Sequence, residues 1–211
     1  MAGGVALAAA GAVLAGSPGD ERIARTAAGN AQAKAEVVRR ADFGKGWSGG
    51  FTKPDLRSHE PCSYRPKQSD LVVVGAAESR WEKLTRAVDS QAQVLRTAAM
   101  AARDWRRTVI APQELPCLRQ SFRKLLGSHG KLLSIRRVAF PHLAARTYAF
   151  RIRANVDDGA GGTVPFESDA VALSAGRNEV SLLLTAAGSD RSSLRADELR
   201  LARVLAHRMH S

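Results

Sequence analysis

The segment Tyr148-Ala-Phe-Arg-Ile-Arg-Ala-Asn-Val156 decides the fold class of the C-terminal half of this chain. Apolar residues such as Phe150 and Ile152 alternate in it with polar residues such as Arg151 and Arg153. Successive side chains of a β-strand point to opposite faces, so a period of two predicts a strand with one buried and one solvated face.

Similar segments lie on both sides of this strand. A strand from Leu132 to Phe140 is predicted before it, and two more, from Val164 to Leu173 and from Val180 to Leu184, follow it after glycine-containing turns. Pro165 cannot donate to a sheet, so it places the first half of its strand at an edge or a bulge. The four strands together predict an antiparallel meander.

The last segment is predicted to be a helix that covers one face of this meander. Its apolar residues fall on one helical stripe, and Ser192 or Ser193 can cap its first turn. The stripe consists of Leu194, Leu201, Ala202, Leu205 and Met209.

The N-terminal half gives weaker patterns. The run from Leu71 to Val74 predicts a buried strand that continues towards Trp81, whereas Ala87 to Leu95 fits either an antiparallel partner strand or a helix. Helices are expected from Thr97 to Arg107 and from Leu115 to Leu126. The sequence therefore predicts an α+β domain: an antiparallel sheet of about six strands flanked by helices, with the C-terminal helix packed on the sheet.

Three parts are expected along the chain. Residues 1–17 contain an uncharged Ala/Gly/Val/Leu run that is too short to span a bilayer, which takes roughly 20 apolar residues, and they read as a signal peptide or the end of a membrane anchor. Residues 18–41 read as a helical lead-in or stalk, with helix expected from 21 to 40. Residues 42–211 form a single domain that begins with a glycine- and proline-rich loop from 43 to 69.

The chain has two cysteines, Cys62 and Cys117, 55 positions apart. A leader for export would place them in an oxidising compartment, where two thiols form a lasting disulfide. We therefore expect one disulfide and an extracytoplasmic location, secreted or associated with the cell envelope. The alternative is a pair of unrelated buried thiols in a cytosolic protein.

The net charge of +12 invites a nucleic-acid reading, but the cations are spread along the chain and only 5% of residues are aromatic. Nucleic-acid binding is therefore not expected. Loose, peripheral association with anionic lipid or another phosphate-bearing surface remains compatible with this charge.

No motif predicts a catalytic, cofactor-binding or metal-binding residue, and no cofactor is expected. The run from Gly127 to Gly130 lacks the strand-to-helix context of a nucleophile elbow, and Asp157-Asp158 lacks further acidic ligands for calcium. His207 and His210 lie three apart without a third ligand. Trp47, Trp81 and Trp105 are weak candidates for a ligand pocket, and core packing is the favoured explanation for them.

The order of elements resembles a family of actinobacterial exported sensor-type domains. The resemblance rests on the run from Arg137 to Pro141, the strand from Leu143 to Ile152 and the run from Asp169 to Leu173, followed by Gly176-Arg177, a leucine-rich strand and a final helix. The family comprises the extracellular sensor domains of mycobacterial Ser/Thr kinases and LpqN-type lipoproteins, whose fold is a PsbP-like antiparallel sheet flanked by helices. Two departures are the serine at the lipobox position, Ser17, and one expected disulfide where kinase sensors can have two.

The resemblance implies a non-catalytic ligand-binding or sensor-like role in a bacterial cell envelope. The ligand would be a lipid, glycan or peptide held in an apolar concavity without paired titratable groups, and an envelope protein is a candidate partner. The first alternative is an envelope hydrolase, in which an acid or serine meets a histidine such as His59, His129 or His142. The second is a structural scaffold that binds other proteins, which an exposed apolar patch would favour.

Overall fold

A computed structural model describes residues 20–56, 64–188 and 193–210 of the chain. Its centre is one sheet of eight strands: β1 (Arg22–Ile23), β2 (Ser48–Thr52), β3 (Val72–Lys83), β4 (Arg86–Leu95), β5 (Gly130–Arg137), β6 (Arg146–Asp157), β7 (Thr163–Ala175) and β8 (Asn178–Ala187). The strand order is β1-β3-β4-β8-β7-β6-β5, with β2 also paired to β3. β1 runs parallel to β3, and the other described pairings are antiparallel.

The described residues also form four α-helices: α1 (Ala27–Ala35), α2 (Ala98–Thr108), α3 (Glu114–Leu126) and α4 (Leu194–Met209). The first two begin at threonine caps, because the Thr26 and Thr97 side chains accept hydrogen bonds from the backbone N–H groups of Gly29 and Met100. Within the described residues, no helix combines the length and the apolar character that crossing a membrane requires.

Strand alternation divides the apolar core into separate clusters on the two faces of the sheet. Val171 and Leu182 belong to one cluster, and their chain neighbours Ala170 and Leu183 belong to another. Adjacent residues of a strand point to opposite faces, so these clusters lie on opposite sides of the sheet. The first cluster includes residues of α1 and α4, and the second includes residues of α2 and α3.

The α+β class and the antiparallel meander of β5 to β8 are confirmed. Pro165 lies in β7 opposite Asn155 of β6, whereas the pairing of β7 with β8 begins one residue later, at Phe166. The proline therefore occupies a part of β7 that extends past the end of β8. No β8 residue pairs with Pro165, so its missing N–H costs no hydrogen bond to β8, as expected for a proline at a strand edge.

The prediction of about six strands is wrong, because the sheet has eight. The additional strands are β1 and β2, which lie within the segments predicted as helix and loop. β1 is two residues long and β2 contains Gly49 and Gly50, so neither has a recognisable periodicity. Both depend on hydrogen bonds to β3, which a local pattern cannot show.

The N-terminal helix is also shorter than predicted, covering Ala27–Ala35 instead of residues 21–40. It is part of the domain, because Ala33, Val37 and Val38 are fully buried in the same cluster as residues of β3 and β4. The segment therefore does not stand apart as a stalk. Conversely, the ambiguous segment from Ala87 to Leu95 is a strand, β4, between β3 and β8.

Glu36, directly after α1, makes the stability of the fold depend on pH. Only 2% of this residue is exposed, and burial raises the pKa of its carboxyl group from 4.5 to about 7. The folded chain therefore binds more protons at this group than the unfolded chain between these two pH values. The free energy of unfolding is highest below the lower value and falls as the pH rises through the higher one.

We expect Glu36→Gln, which imitates the protonated side chain, to reduce this loss by at most about 3 kcal/mol. Urea unfolding of both proteins at roughly pH 5 and pH 8 measures the difference. Asp89 and Glu198, whose carboxyl groups have pKa values raised by burial, contribute with the same sign and keep some pH dependence in the variant. If the free energy of unfolding of the variant fell with pH as much as that of the parent, the assignment to Glu36 would be contradicted.

Candidate ligand-binding cleft

The buried face of α2 carries a carboxyl group towards the sheet. Its buried residues are Ala101, Asp104, Trp105 and Thr108, which follow the helical spacing of three and four. Only 3% of Asp104 is exposed. A charged residue within a helix's buried face is costly unless it is partnered, so the surroundings of Asp104 identify a candidate site.

Polar side chains on two neighbouring strands face this part of α2. In the pairing of β4 with β8, Gln91 lies opposite Ser181 and Gln93 lies opposite Glu179. Together with α2 they surround a cleft of about 30 Å³, enough for roughly two water molecules. Its lining consists of Gln91, Gln93, Trp105, Thr108, Val109, Ala172, Leu173, Glu179, Val180 and Ser181.

A pair of carboxyl groups, Asp104 and Glu179, is the electrostatic centre of the cleft. The two carboxyl groups are close enough to perturb each other's pKa. Burial raises the pKa of both, and the nearby charge of Asp104 raises that of Glu179 further. Both effects favour the protonated form of Glu179.

Other groups hold the Asp104 side of the pair in place. The amide Nε2 of Gln68 donates to Asp104 Oδ1 at 2.8 Å, and Gln68 is itself fully buried. Asp20 anchors Gln68, because its Oδ1 accepts from the Gln68 backbone N–H at 2.7 Å. The carboxylate is thus fixed by a chain of contacts that reaches back to the N-terminal segment.

Two acceptor atoms of the cleft residues have no partner among the described residues. They are Oε1 of Glu179 and Oε1 of Gln91, and both atoms are buried. Leaving a buried acceptor unsatisfied costs about 1 to 3 kcal/mol, so such atoms normally contact water or a ligand. The cleft therefore presents two acceptors to a group that carries hydrogen-bond donors.

Trp105 and Arg146 form an aromatic and cationic wall beside these acceptors. The Arg146 guanidinium lies 6.0 Å from the Trp105 ring centroid, and its Nη2 donates to Ser174 Oγ at 2.6 Å. The positive charge of Arg146 acts against the rise in the pKa of Glu179 without cancelling it. The arrangement fits a small neutral or amine-bearing polar group better than an extended apolar chain.

The three tryptophans do not form one pocket. Trp105 lines the cleft, whereas Trp47 and Trp81 contact Phe43 elsewhere, with ring centroids 4.5 Å and 5.5 Å from that of Phe43. The Trp81 ring nitrogen donates to the Val38 carbonyl at 3.2 Å. Trp47 and Trp81 therefore pack the core, and only Trp105 is placed to contact a ligand.

This cleft differs from the expected apolar concavity without paired titratable groups. It is small, half of its ten lining residues are polar, and one of them, Glu179, lies near Asp104. The sequence offered one signal that could have located it: an acidic residue within the apolar stripe of α2. Glu179 had no such signal, because it enters the cleft through pairing with β4.

The structure describes one of the two cysteines, Cys117. Cys117 is 5% exposed in the first turns of α3, and no described cysteine is a free thiol. Cys62 lies outside the described residues. The pairing of Cys62 with Cys117 therefore stays a prediction.

Two of the three histidines considered for a hydrolase, His129 and His142, lie within the described residues. His142 is exposed on the surface, and His129 Nδ1 lies 3.8 Å from Asp157 Oδ2 at the open end of β5 and β6. His59 lies outside the described residues. Across residues 20–56, 64–188 and 193–210, no group of three His, Cys, Asp or Glu side chains could hold a metal ion.

Asp158 serves the turn between β6 and β7. Its Oδ1 accepts hydrogen bonds from the backbone N–H groups of Ala160 and Gly162 at 2.8 and 2.9 Å. These contacts lower the pKa of its carboxyl group. Asp158 of the Asp157-Asp158 pair therefore stabilises the turn through these hydrogen bonds.

No model of a protein family matches this chain, and no curated protein matches it either.

Proposed function

We propose that this protein is an exported, non-catalytic ligand-binding or sensor-like domain of a bacterial cell envelope, with the cleft between α2, β4 and β8 as its binding site. The observation that carries this proposal is that two buried acceptors without a described partner, Gln91 Oε1 and Glu179 Oε1, belong to residues that line one cleft. Buried acceptors without a protein partner normally contact water or a ligand, and a cleft gives a ligand access to them.

The export part of the proposal is supported by the sequence. The uncharged run at residues 5–16 has the character of a secretory leader, and the two cysteines suit an oxidising compartment. The resemblance to exported sensor-type domains points the same way. A single disulfide from Cys62 to Cys117 belongs to this proposal.

The packing of α4 on the sheet is also part of the proposal. Leu201 and Leu205 are fully buried in the same cluster as Leu182 of β8, which supports it. If α1 and α4 cover that face, ligands enter from the face that carries α2. This agrees with the position of the cleft.

The chemistry of the cleft selects a class of ligand. Two acceptors beside the Asp104–Glu179 carboxyl pair match a group with several donors, and a tryptophan face suits the apolar side of a sugar or a small amine. The volume of about 30 Å³ admits only a small part of a ligand. We therefore propose that the cleft holds a hydroxyl-bearing or amine-bearing end of a glycan or lipid headgroup.

The test is to titrate the full chain with glycerol, ethanolamine or trehalose, each as a separate probe. The chemical shifts of the amide groups are recorded by NMR during each titration. We expect shifts at Trp105 and Ser181 for at least one probe. Gln91→Met preserves the side-chain length but removes the acceptor, and should weaken that binding at least tenfold, about 1.4 kcal/mol. Gln120→Met, on the exposed side of α3, is the matched control. Equal affinities for the two variants would contradict the assignment of the cleft.

A second candidate function is favoured by the carboxyl pair itself. Two neighbouring carboxyl groups can act as general acid and base in hydrolysis. An envelope hydrolase would turn over a glycoside or peptide and lose that turnover in Glu179→Gln. Ligand binding without turnover distinguishes the binding module from this alternative.

A further inference from the structure

Cations are spread along the chain, but the net positive charge is concentrated in one stretch that lacks acidic residues. From residue 115 to residue 156 the sequence contains no aspartate or glutamate. The same stretch contains nine cations, compared with a net charge of +12 for the whole chain. They are Arg119, Arg123, Lys124, Lys131, Arg136, Arg137, Arg146, Arg151 and Arg153.

The fold places six of these cations on α3 and the edge strand β5, and we name the sheet edge that they border the β5 edge surface. Neighbours in β5 such as Arg136 and Arg137 point to opposite faces of the sheet, so they border this edge from both sides. Arg119 joins the two elements, because its Nη2 donates to the Ile135 carbonyl of β5 at 3.1 Å. Leu118 and Phe122 pack in the same cluster as Ile135 beneath. The exposed members of the surface are Arg119, Arg123, Lys124, Lys131, Arg136 and Arg137.

None of these six cations takes part in an ion pair with the described residues. The remaining three cations of the stretch differ: Arg151 and Arg153 pair with Asp169 and Glu167, and Arg146 bonds Ser174. The bordering acid Asp157 lies 3.8 Å from His129 at one end of the surface. The β5 edge surface therefore keeps its positive charge available for a partner.

Two exposed leucines lie among the cations. Leu125 of α3 is 43% exposed, and Leu133 is 54% exposed at the irregularity where the pairing of β5 with β6 shifts register. Large apolar side chains surrounded by cations, on the outer edge of a sheet, form an amphipathic contact surface. Such surfaces bind membranes through charge and through shallow apolar insertion.

The geometry points to the surface of an anionic lipid bilayer as the partner of the β5 edge surface. Each cation near an anionic leaflet contributes favourably, and the leucines can enter the headgroup boundary. Single-stranded nucleic acid would call for exposed aromatic rings that stack on bases, and the surface has none among its described residues. This docking is independent of what the cleft binds.

The experiment is flotation of the full chain with phosphatidylcholine vesicles, with and without one third phosphatidylglycerol. We expect binding to the anionic vesicles that exceeds binding to the neutral ones and weakens with added salt. A variant with Arg123, Lys124, Lys131 and Arg136 each changed to Gln should bind the anionic vesicles at least tenfold more weakly. The matched control changes Arg25, Lys45, Lys53 and Arg96 to Gln, which removes the same charge from exposed positions elsewhere.

The control should keep most of the binding, because its cations lie on other parts of the fold. Equal loss in both variants would overturn the proposal, since it would show an effect of net charge alone. Equal binding to neutral and anionic vesicles would overturn it as well. So would tight binding to an acidic polypeptide such as polyglutamate with no flotation on anionic vesicles.

Discussion

Gly75→Ala is expected to lower the free energy of unfolding by about 3 kcal/mol or more. At this position β3 passes directly under the first turn of α1. A β-carbon on Gly75 would lie 2.0 Å from the Gly29 carbonyl oxygen and 2.8 Å from the Asn30 nitrogen. Both are backbone atoms, so the helix and the strand would have to separate.

The contact is reciprocal, because a β-carbon on Gly29 would lie 2.2 Å from the Val74 carbonyl oxygen. The N–H of Thr26 donates to that same oxygen at 2.8 Å, which fixes the approach of the helix. Urea unfolding measures the loss, and Gly50→Ala is the control because no atom lies within 4 Å of its added β-carbon. The control should stay within about 1 kcal/mol of the parent. Similar stabilities for the two variants would show that α1 does not lie against β3 in this way.

Loss of the predicted disulfide is the second large effect. We expect Cys117→Ser to lower the free energy of unfolding by about 2 to 5 kcal/mol, because opening the loop from residue 62 to residue 117 frees the unfolded chain. Thermal or urea unfolding in the absence of reductant measures it. The parent protein, unfolded in the presence of reductant, should show a similar decrease in the free energy of unfolding.

Two comparisons separate the disulfide from the burial of Cys117, which is 5% exposed. If Cys62 and Cys117 pair, Cys62→Ser should cost nearly as much as Cys117→Ser, and the double variant should cost no more than either. Additive losses would contradict the pairing. So would two thiols that react with a labelling reagent in the folded, exported protein.

The C-terminal half was predictable because its pairing partners are consecutive in sequence. β6, β7 and β8 alternate clearly, and short turns make each the neighbour of the next. The helices α2 and α3 were predicted within one residue of their ends because prolines and a glycine bound them. In these parts local patterns and the final fold agree.

The remaining features depend on contacts between distant parts of the chain. β1 and β2 are strands only because β3 offers hydrogen bonds to them, and β1 takes up residues that the sequence predicted as helix. The Asp104–Glu179 pair combines a helix residue with a strand residue 75 positions away in the sequence. A sequence pattern shows which residues are polar, but it does not show which of them meet.

The cleft and the β5 edge surface divide the proposed function between two places. Gln91 and Glu179 lie on central strands, β4 and β8, whereas β5 is the last strand of the sheet. A domain docked through β5 on a bilayer would hold the cleft at a fixed distance from the lipid surface. Ligand binding and membrane docking can therefore be disrupted separately, by Gln91→Met and by the four changes on α3 and β5.

Native mass spectrometry of the protein purified from the exported fraction of its host detects the disulfide and the bound ligand in one experiment. We expect a chain lighter than its reduced form by two hydrogen atoms, carrying a small polar ligand that Gln91→Met fails to retain. A chain with both thiols free, or one that never retains a ligand in the parent protein, would contradict this expectation.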